Sequence, residues 1–167
     1  VLIDALPYIR EFNGHTVVIK YGGSAMLDPE INKTIVQDIV MLKLVGLKPI
    51  IVHGGGPEIN NMLGRLGIQS QFINGLRVTT KETMEVVEMV LAGKVNKQIV
   101  EMISRQGGCP VGLTGKDGKI LRAKKIEKDG IDLGYVGEIV EVNKRLIHTL
   151  IDNDFIPVIA PIGADEE

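Results

Sequence analysis

Two short stretches combine residue types that can hold an anion. In IKYGGS, residues 19–24, Lys20 precedes the pair Gly22 and Gly23. Glycines let backbone N–H groups approach an anion closely, and a lysine ammonium beside them adds a compact positive charge. At about 4 Å and an effective dielectric of about 20, such a charge and a phosphoryl oxygen attract by ~4 kcal/mol before desolvation is subtracted, enough to matter in phosphoryl transfer. A solvated lysine beside an ordinary tight turn is the competing reading of the same residues. In IIVHGGGPEIN, residues 50–60, the run Gly54, Gly55 and Gly56 follows an apolar segment and is closed by Pro57. Pro57 suits the first position of a helix, which makes Gly56 the cap and aims the free N–H groups of the first turn beyond the preceding strand. The helix dipole adds about 0.3–1 kcal/mol for an anion held there. The run lacks the Lys-Ser/Thr pair of a P-loop, and Ile59 stands where a dinucleotide fingerprint has its third glycine. A plain corner is the remaining alternative. Arg77, in NGLRVTT, can clamp a carboxylate through two parallel hydrogen bonds or can form a surface ion pair.

The elements that must position these residues follow from periodicity and punctuation. TVVIKY, residues 16–21, reads as a strand buried on both faces. Asp28 as cap and Pro29 as first helical residue open a helix to about Val45, with Gly46 past its end. KPIIVH, residues 48–53, is a second strand, and the helix after the glycines extends to about Leu66. This β-loop-α alternation calls for a parallel sheet, with both glycine loops at strand carboxyl ends, where open α/β sheets bind ligands. Thr79 with Glu82 fits a capping box for a longer helix, which carries two apolar stripes. Met84, Val87, Leu91, Val95, Ile99 and Met102 form one, and Val86, Val90, Val100 and Ile103 the other. Such a helix is deeply buried or shared between the core and a partner. Gly93 is a candidate kink. Residues 110–142 read as a hairpin region, Asn143 as the start of a short helix and FIPVIAPIG as a buried strand.

The whole composition bounds the function. An apolar fraction of 44%, a net charge of −2 and a mean hydropathy of +0.17 describe a folded chain, and no apolar run reaches the ~18 residues that span a bilayer. The charged residues of VLIDALPYIREF do not suit a signal peptide, so a cytoplasmic location is expected. One cysteine, Cys109, and three scattered histidines offer no disulfide framework and no metal site, and the scarcity of aromatics argues against a nucleic-acid surface. His53 reads as a packed histidine without a chemical role. KKIEKD, residues 124–129, reads as a solvated loop, and GKVNK, residues 93–97, as a polar helix strip or a ligand-facing one.

IKYGGSAM, IVHGGGPEIN, NGLRVTTKETMEVVEMVLAGKVNKQIV and DFIPVIAPIG, in this order, resemble the acetylglutamate kinases of the amino-acid kinase family. The resemblance implies a three-layer αβα sandwich with a mainly parallel central sheet, plus a β-hairpin region. It implies transfer of the ATP γ-phosphoryl group, with Mg2+, to the side-chain carboxylate of N-acetyl-L-glutamate in arginine biosynthesis. By position, Lys20 matches the transition-state lysine and Gly22 and Gly23 the glycines around the transferred phosphoryl group. Gly55 and Gly56 match the donors at the substrate's reacting end, and Arg77 the residue that holds its α-carboxylate. Residues 1–167 are then expected to be the N-terminal, acid-binding part, the ATP-binding part being absent and this chain alone inactive. A homodimer is implied. VLIDALPYIREF, with Leu2, Leu6 and Ile9 on one face, resembles the end of a helix that builds hexamers in arginine-sensitive relatives, with Pro7 as an expected kink. Another member of the family, or a non-catalytic binding or oligomerisation module, is the alternative.

Overall fold

The computed structural model describes residues 2–22, 26, 28–128 and 130–165. In chain order the elements are α1 (Leu2–Phe12), β1 (Thr16–Tyr21), α2 (Pro29–Leu44), β2 (Lys48–His53), α3 (Gly56–Arg65), β3 (Gln71–Ile73), β4 (Leu76–Val78), α4 (Lys81–Glu88), a π-helical segment (Met89–Val95), α5 (Asn96–Arg105), β5 (Pro110–Thr114), β6 (Leu121–Lys128), β7 (Ile131–Val142), α6 (Arg145–Asp152) and β8 (Ile156–Ala160). Four strands pair in parallel in the order β1-β2-β8-β5, while β3-β4 and β6-β7 are antiparallel hairpins. Lys20 lies opposite Val52 and Tyr21 opposite His53, so β1 and β2 end level and their glycine loops leave the sheet side by side.

The helices divide unequally over the two faces. Tyr21, Ile51, Val158 and Ala160 share one buried cluster with Val36 and Ile39 of α2, Ile59 and Leu63 of α3, and the long helical run from Val86 to Ile103. On the other face only a small cluster forms, where α6 packs Ile151 and Ile147 on Ile50 and Ile159. All five residues of β8 are buried, as an apolar run in a central parallel strand requires. The same composition misleads for β1. It is the edge strand, its residues alternate in exposure, and Val18 is 63% exposed, because no element among the described residues covers that corner of the sheet.

Several boundaries differ from expectation by one residue. Asp28 caps α2 as expected, its side chain accepting from the backbone of Glu30 and Ile31. Thr80, rather than Thr79, caps α4 by accepting from Thr83 N–H at 3.2 Å. Thr79 is instead bridged to β7, giving its N–H to Leu133 and taking one from Tyr135. Gly55, rather than Gly56, caps α3. PVGLT, expected in the hairpin region, is β5 of the main sheet, and Lys124–Lys128 of the expected solvated loop belong to β6. Lys144, rather than Asn143, is the cap residue of α6, while the Asn143 side chain accepts from Arg145 N–H at 3.1 Å, and α1 runs through Pro7 as one element.

The two apolar stripes of the long helix have a single cause. Its buried apolar residues are Val86, Val90, Leu91, Val95, Ile99 and Ile103, with Thr83 and Asn96 buried beside them. This row passes from one stripe to the other inside Met89–Val95, where the π-helical segment holds an extra residue per turn. A helix of uniform pitch would need two buried faces; this one keeps one.

Candidate functional site

The glycine loops touch. Gly54 donates its N–H to the Tyr21 carbonyl at 3.0 Å, and a Cβ built on Gly22 would lie 3.5 Å from the Gly54 nitrogen. Gly55 is pressed against the π-helical segment, since a Cβ there would meet Leu91 at 2.6 Å and Val95 at 3.2 Å. Gly56 faces the opposite situation, with nothing within 4 Å of the same added atom. As the first residues of α3, Gly55 and Gly56 leave their N–H groups outside the helical ladder. Gly23 lies outside the described residues. Lys20 is exposed two residues before Gly22, and among the described residues its ammonium meets neither hydrogen-bond nor ion-pair partner.

Arg77 reaches the same helix from the β3-β4 hairpin. Its Nη1 donates to Ser70 Oγ and its Nη2 to Asn60 Oδ1, both at 2.6 Å, and the guanidinium carbon lies 4.6 Å from the centre of the Phe72 ring. Asn60 is one helical turn beyond Gly56, so α3 carries both the N–H donors and the anchor of the arginine. The holders are all neutral. Arg77 forms no ion pair among the described residues, and partial burial lowers its pKa from the ordinary value without discharging it. Two of five N–H donors are engaged and three remain for a planar anion. No contact joins Arg77 to Lys20 among the described residues; α3 and the glycine loops lie between them in the chain of contacts.

Behind the loop lies a buried polar group that the sequence pattern disguised. His53 and Asn96 are each 1% exposed. Asn96 Nδ2 is 3.0 Å from His53 Nε2, and also faces the carbonyl oxygens of Val158 at 2.9 Å and Leu113 at 3.3 Å. Lys97 Nζ donates to Asn96 Oδ1 at 3.1 Å and to Gly112 O at 3.3 Å. GKVNK is therefore no solvated strip: Asn96 enters the core, and Lys94 pairs with Glu58 of α3. A signal for this was legible, since Asn96 stands three residues before Ile99 and seven before Ile103 on the buried row. Asn60 and Ser70 had no such signal, because only the hairpin brings them to Arg77.

Burial lowers the His53 pKa below its ordinary value of 6.5, and the nearby Lys97 charge works in the same direction against the hydrogen bond to Gly54. The unfolded chain then binds a proton below about pH 6.5 that the folded chain refuses, so stability falls with pH by up to about 1.4 kcal/mol per unit until the folded value is reached. Chemical denaturation at about pH 7.5 and about pH 5.5 should show the wild type losing more stability than His53→Asn. Equal losses would mean that His53 is protonated without cost in the fold.

Two concavities flank these groups. One of about 340 Å³ lies between Tyr21, Gly55 and α5, and carries the acidic Glu58 and Glu101, which disfavour an anion. A groove of about 830 Å³ separates α4 from the β6-β7 hairpin, with Lys81, Glu85, Glu88 and Lys116 giving it mixed charge. Neither concavity includes Lys20 or Arg77 in its lining.

A parallel α/β sheet with two glycine loops at adjacent strand ends is the frame of the class, and the chain belongs to the amino acid kinase family, whose model matches residues 15–167. It is 60% identical over 167 residues to the acetylglutamate kinase of Caldanaerobacter subterraneus subsp. tengcongensis, covering 100% of this chain and 56% of that protein. It is 59% identical over 175 residues to the acetylglutamate kinase of Moorella thermoacetica, covering 59% of that protein. The chain thus spans just over half the length of the curated relatives it matches. Among solved structures, smu.665 from Streptococcus mutans UA159 aligns with a TM-score of 0.82 at 32% identity, over 90% of this chain and 60% of that one. N-acetylglutamate synthase from Neisseria gonorrhoeae, complexed with coenzyme A and N-acetyl-glutamate, shares the fold with a TM-score of 0.81 at 24% identity, over 98% of this chain and 37% of that one.

Proposed function

We propose that the chain is the acid-binding part of an acetylglutamate kinase, which transfers the γ-phosphoryl group of ATP to the side-chain carboxylate of N-acetyl-L-glutamate. The observation that carries this reading is the contact of the two glycine loops at adjacent strand ends, with the Gly55 and Gly56 N–H groups outside the ladder at the start of α3, Lys20 at the end of β1, and Arg77 held on α3 by neutral partners. The identity to acetylglutamate kinases supports the substrate assignment.

In this reading Arg77 clamps the α-carboxylate with its unused N–H donors, which holds the acid in one orientation over the loop. The N–H groups of Gly55 and Gly56 steady the reacting carboxylate. Its oxygen attacks the γ-phosphorus directly as the bond to ADP breaks, and no proton need be removed from an ionised carboxylate. Lys20, with the N–H groups of Gly22 and Gly23, neutralises the equatorial oxygens, where charge spreads in the transition state. Mg2+ would arrive with the nucleotide: among the described residues no three acidic, His or Cys side chains group to hold it. Most of the ATP site is assigned to the length of the relatives that this chain does not span. Homodimer formation, with a hexamer as a further assembly, and a cytoplasmic location belong to the same proposal.

A coupled assay of ADP release, run on a protein of the relatives' length that carries this sequence, should give turnover with N-acetyl-L-glutamate and far less with glutamate or carbamate. The reverse preference would overturn the substrate assignment. Arg77→Ala should raise the KM for the acid by about 100-fold, the worth of one charge-assisted pair of hydrogen bonds, and lower kcat much less. Calorimetry on the 167-residue chain separates the alternative of a non-catalytic module, which would bind the acid whether or not the longer protein turned it over.

A further inference from the structure

His53 and Asn96 offer nothing to a ligand directly, yet their hydrogen bonds end on the glycine loop. The orientation of the Asn96 amide follows from its neighbours. Its oxygen accepts from Lys97 Nζ, and its nitrogen faces two carbonyl oxygens, those of Val158 and Leu113. A flipped amide would set N–H against ammonium and oxygen against both carbonyls, so the nitrogen is the atom that faces His53 Nε2. An amide nitrogen only donates. Nε2 therefore accepts, the ring proton resides on Nδ1, and Nδ1–H donates to the Gly54 carbonyl oxygen at 2.9 Å.

That last bond has a geometric consequence. A trans peptide is planar, with its C=O and N–H pointing in opposite directions, and no cis peptide occurs among the described residues. Holding the Gly54 oxygen against the imidazole turns the Gly55 N–H away from it and from the packed helices. Among the described residues that N–H meets no acceptor of the chain. Between two glycines the peptide has little else to fix it, since neither flanking residue has a side chain to restrict rotation. We infer that His53 and Asn96 are positioning residues: together they lock the Gly54–Gly55 peptide so that its N–H is presented to the anionic oxygens of the reacting group. The inference rests on the reading of Gly55 as an anion donor given above.

Two substitutions of similar polarity separate positioning from packing. His53→Asn sets an amide nitrogen near the place of Nδ1 and can still hold the Gly54 oxygen. His53→Gln sets its amide near the place of Nε2 and leaves that oxygen unheld. Inorganic phosphate is titrated into the 15N-labelled chain while the Gly55 amide resonance is followed. The wild-type signal should shift, His53→Asn should keep the apparent affinity within about threefold, and His53→Gln should weaken it by about tenfold or more, as loss of one aimed donor implies. The imidazole nitrogens of the wild type should report the neutral tautomer protonated at Nδ1. Should His53→Gln not fold, Asn96→Ala is read in its place, with the same loss expected. An Nε2–H tautomer, a Gly55 amide indifferent to phosphate, or equal responses in wild type and His53→Gln would each overturn the inference. A Gly55 response in the expected pattern, in a protein that does not phosphorylate N-acetyl-L-glutamate, would support the positioning role and sink the kinase reading alone.

Discussion

Lys20→Ala should lower kcat of the intact enzyme by about 10²–10³-fold while leaving the KM for N-acetyl-L-glutamate within about threefold. The asymmetry comes from where the charge is needed. In the reading proposed above, the acid is held in the ground state by Arg77 and the loop N–H groups, so removing Lys20 should cost binding little. In the transition state charge spreads over the equatorial oxygens of the transferring group, and a lysine worth ~4 kcal/mol at contact distance no longer offsets it. Among the described residues no ion pair involves Lys20 to compensate or to be disrupted. Because the side chain is exposed, the substitution should change stability by no more than about 0.5 kcal/mol. Lys20→Arg keeps the charge with a different shape and should lie between the two. Parallel changes in kcat and KM for Lys20→Ala would show that the lysine binds substrate and transition state alike, and would remove it from the chemistry.

A large effect on stability is expected at a residue with no side chain. A Cβ on Gly112 would lie 2.0 Å from Asn96 Oδ1, 2.7 Å from Lys97 Nζ and 3.0 Å from Val100 Cγ2. Lys97 is exposed and can move aside, but Asn96 is buried and held by bonds to β2, β5 and β8. Gly112→Ala must therefore push the amide out of register, adding an overpacking cost of about 1–3 kcal/mol to about 1–3 kcal/mol for polar groups left unpaired. A loss of about 3 kcal/mol is expected, which lowers the melting temperature by about 6–12 °C in a chain of this size. Gly56→Ala, where the added methyl meets open space, should change stability by no more than about 1 kcal/mol. Adding Asn96→Ala to Gly112→Ala should recover part of the loss, and a double-mutant cycle measures the coupling. Additive effects would mean that the two residues do not share the space assigned to them.

What could be read from the chain alone follows the range of the interactions. Asp28 with Pro29, and the glycines before Pro57, are local signals of helix starts, and both helices begin within a residue of where they point. Thr79 and Thr80 are alike locally. Only the pairing of Thr79 with the distant β7 decides which of them caps α4. TVVIKY and IPVIA are alike in composition, yet one is a half-exposed edge and the other the most buried strand, since sheet order depends on contacts far apart in sequence. At the site, the loops and both cations stood out by residue type. The holders of Arg77 and the anchor of the glycine loop did not, because Asn60, Ser70, Asn96 and Gly112 acquire their roles only through partners on other elements.

The π-helical segment also sets a rotational phase. Each residue of an α-helix turns the chain by about 100°, and the wider turn between Met89 and Val95 takes up the one carried in excess, so that α5 keeps the phase of α4. Deleting a single residue there, Ala92 for example, would leave a helix of better local geometry. Because that residue is the one the wider turn absorbs, Asn96 should keep facing His53 and Ile99 and Ile103 should stay in the core, whereas a residue deleted from an α-helical turn would rotate those after it by about a quarter of a turn. The segment is in this sense a store of one residue, and it lets the α-helical runs on either side keep a common buried face.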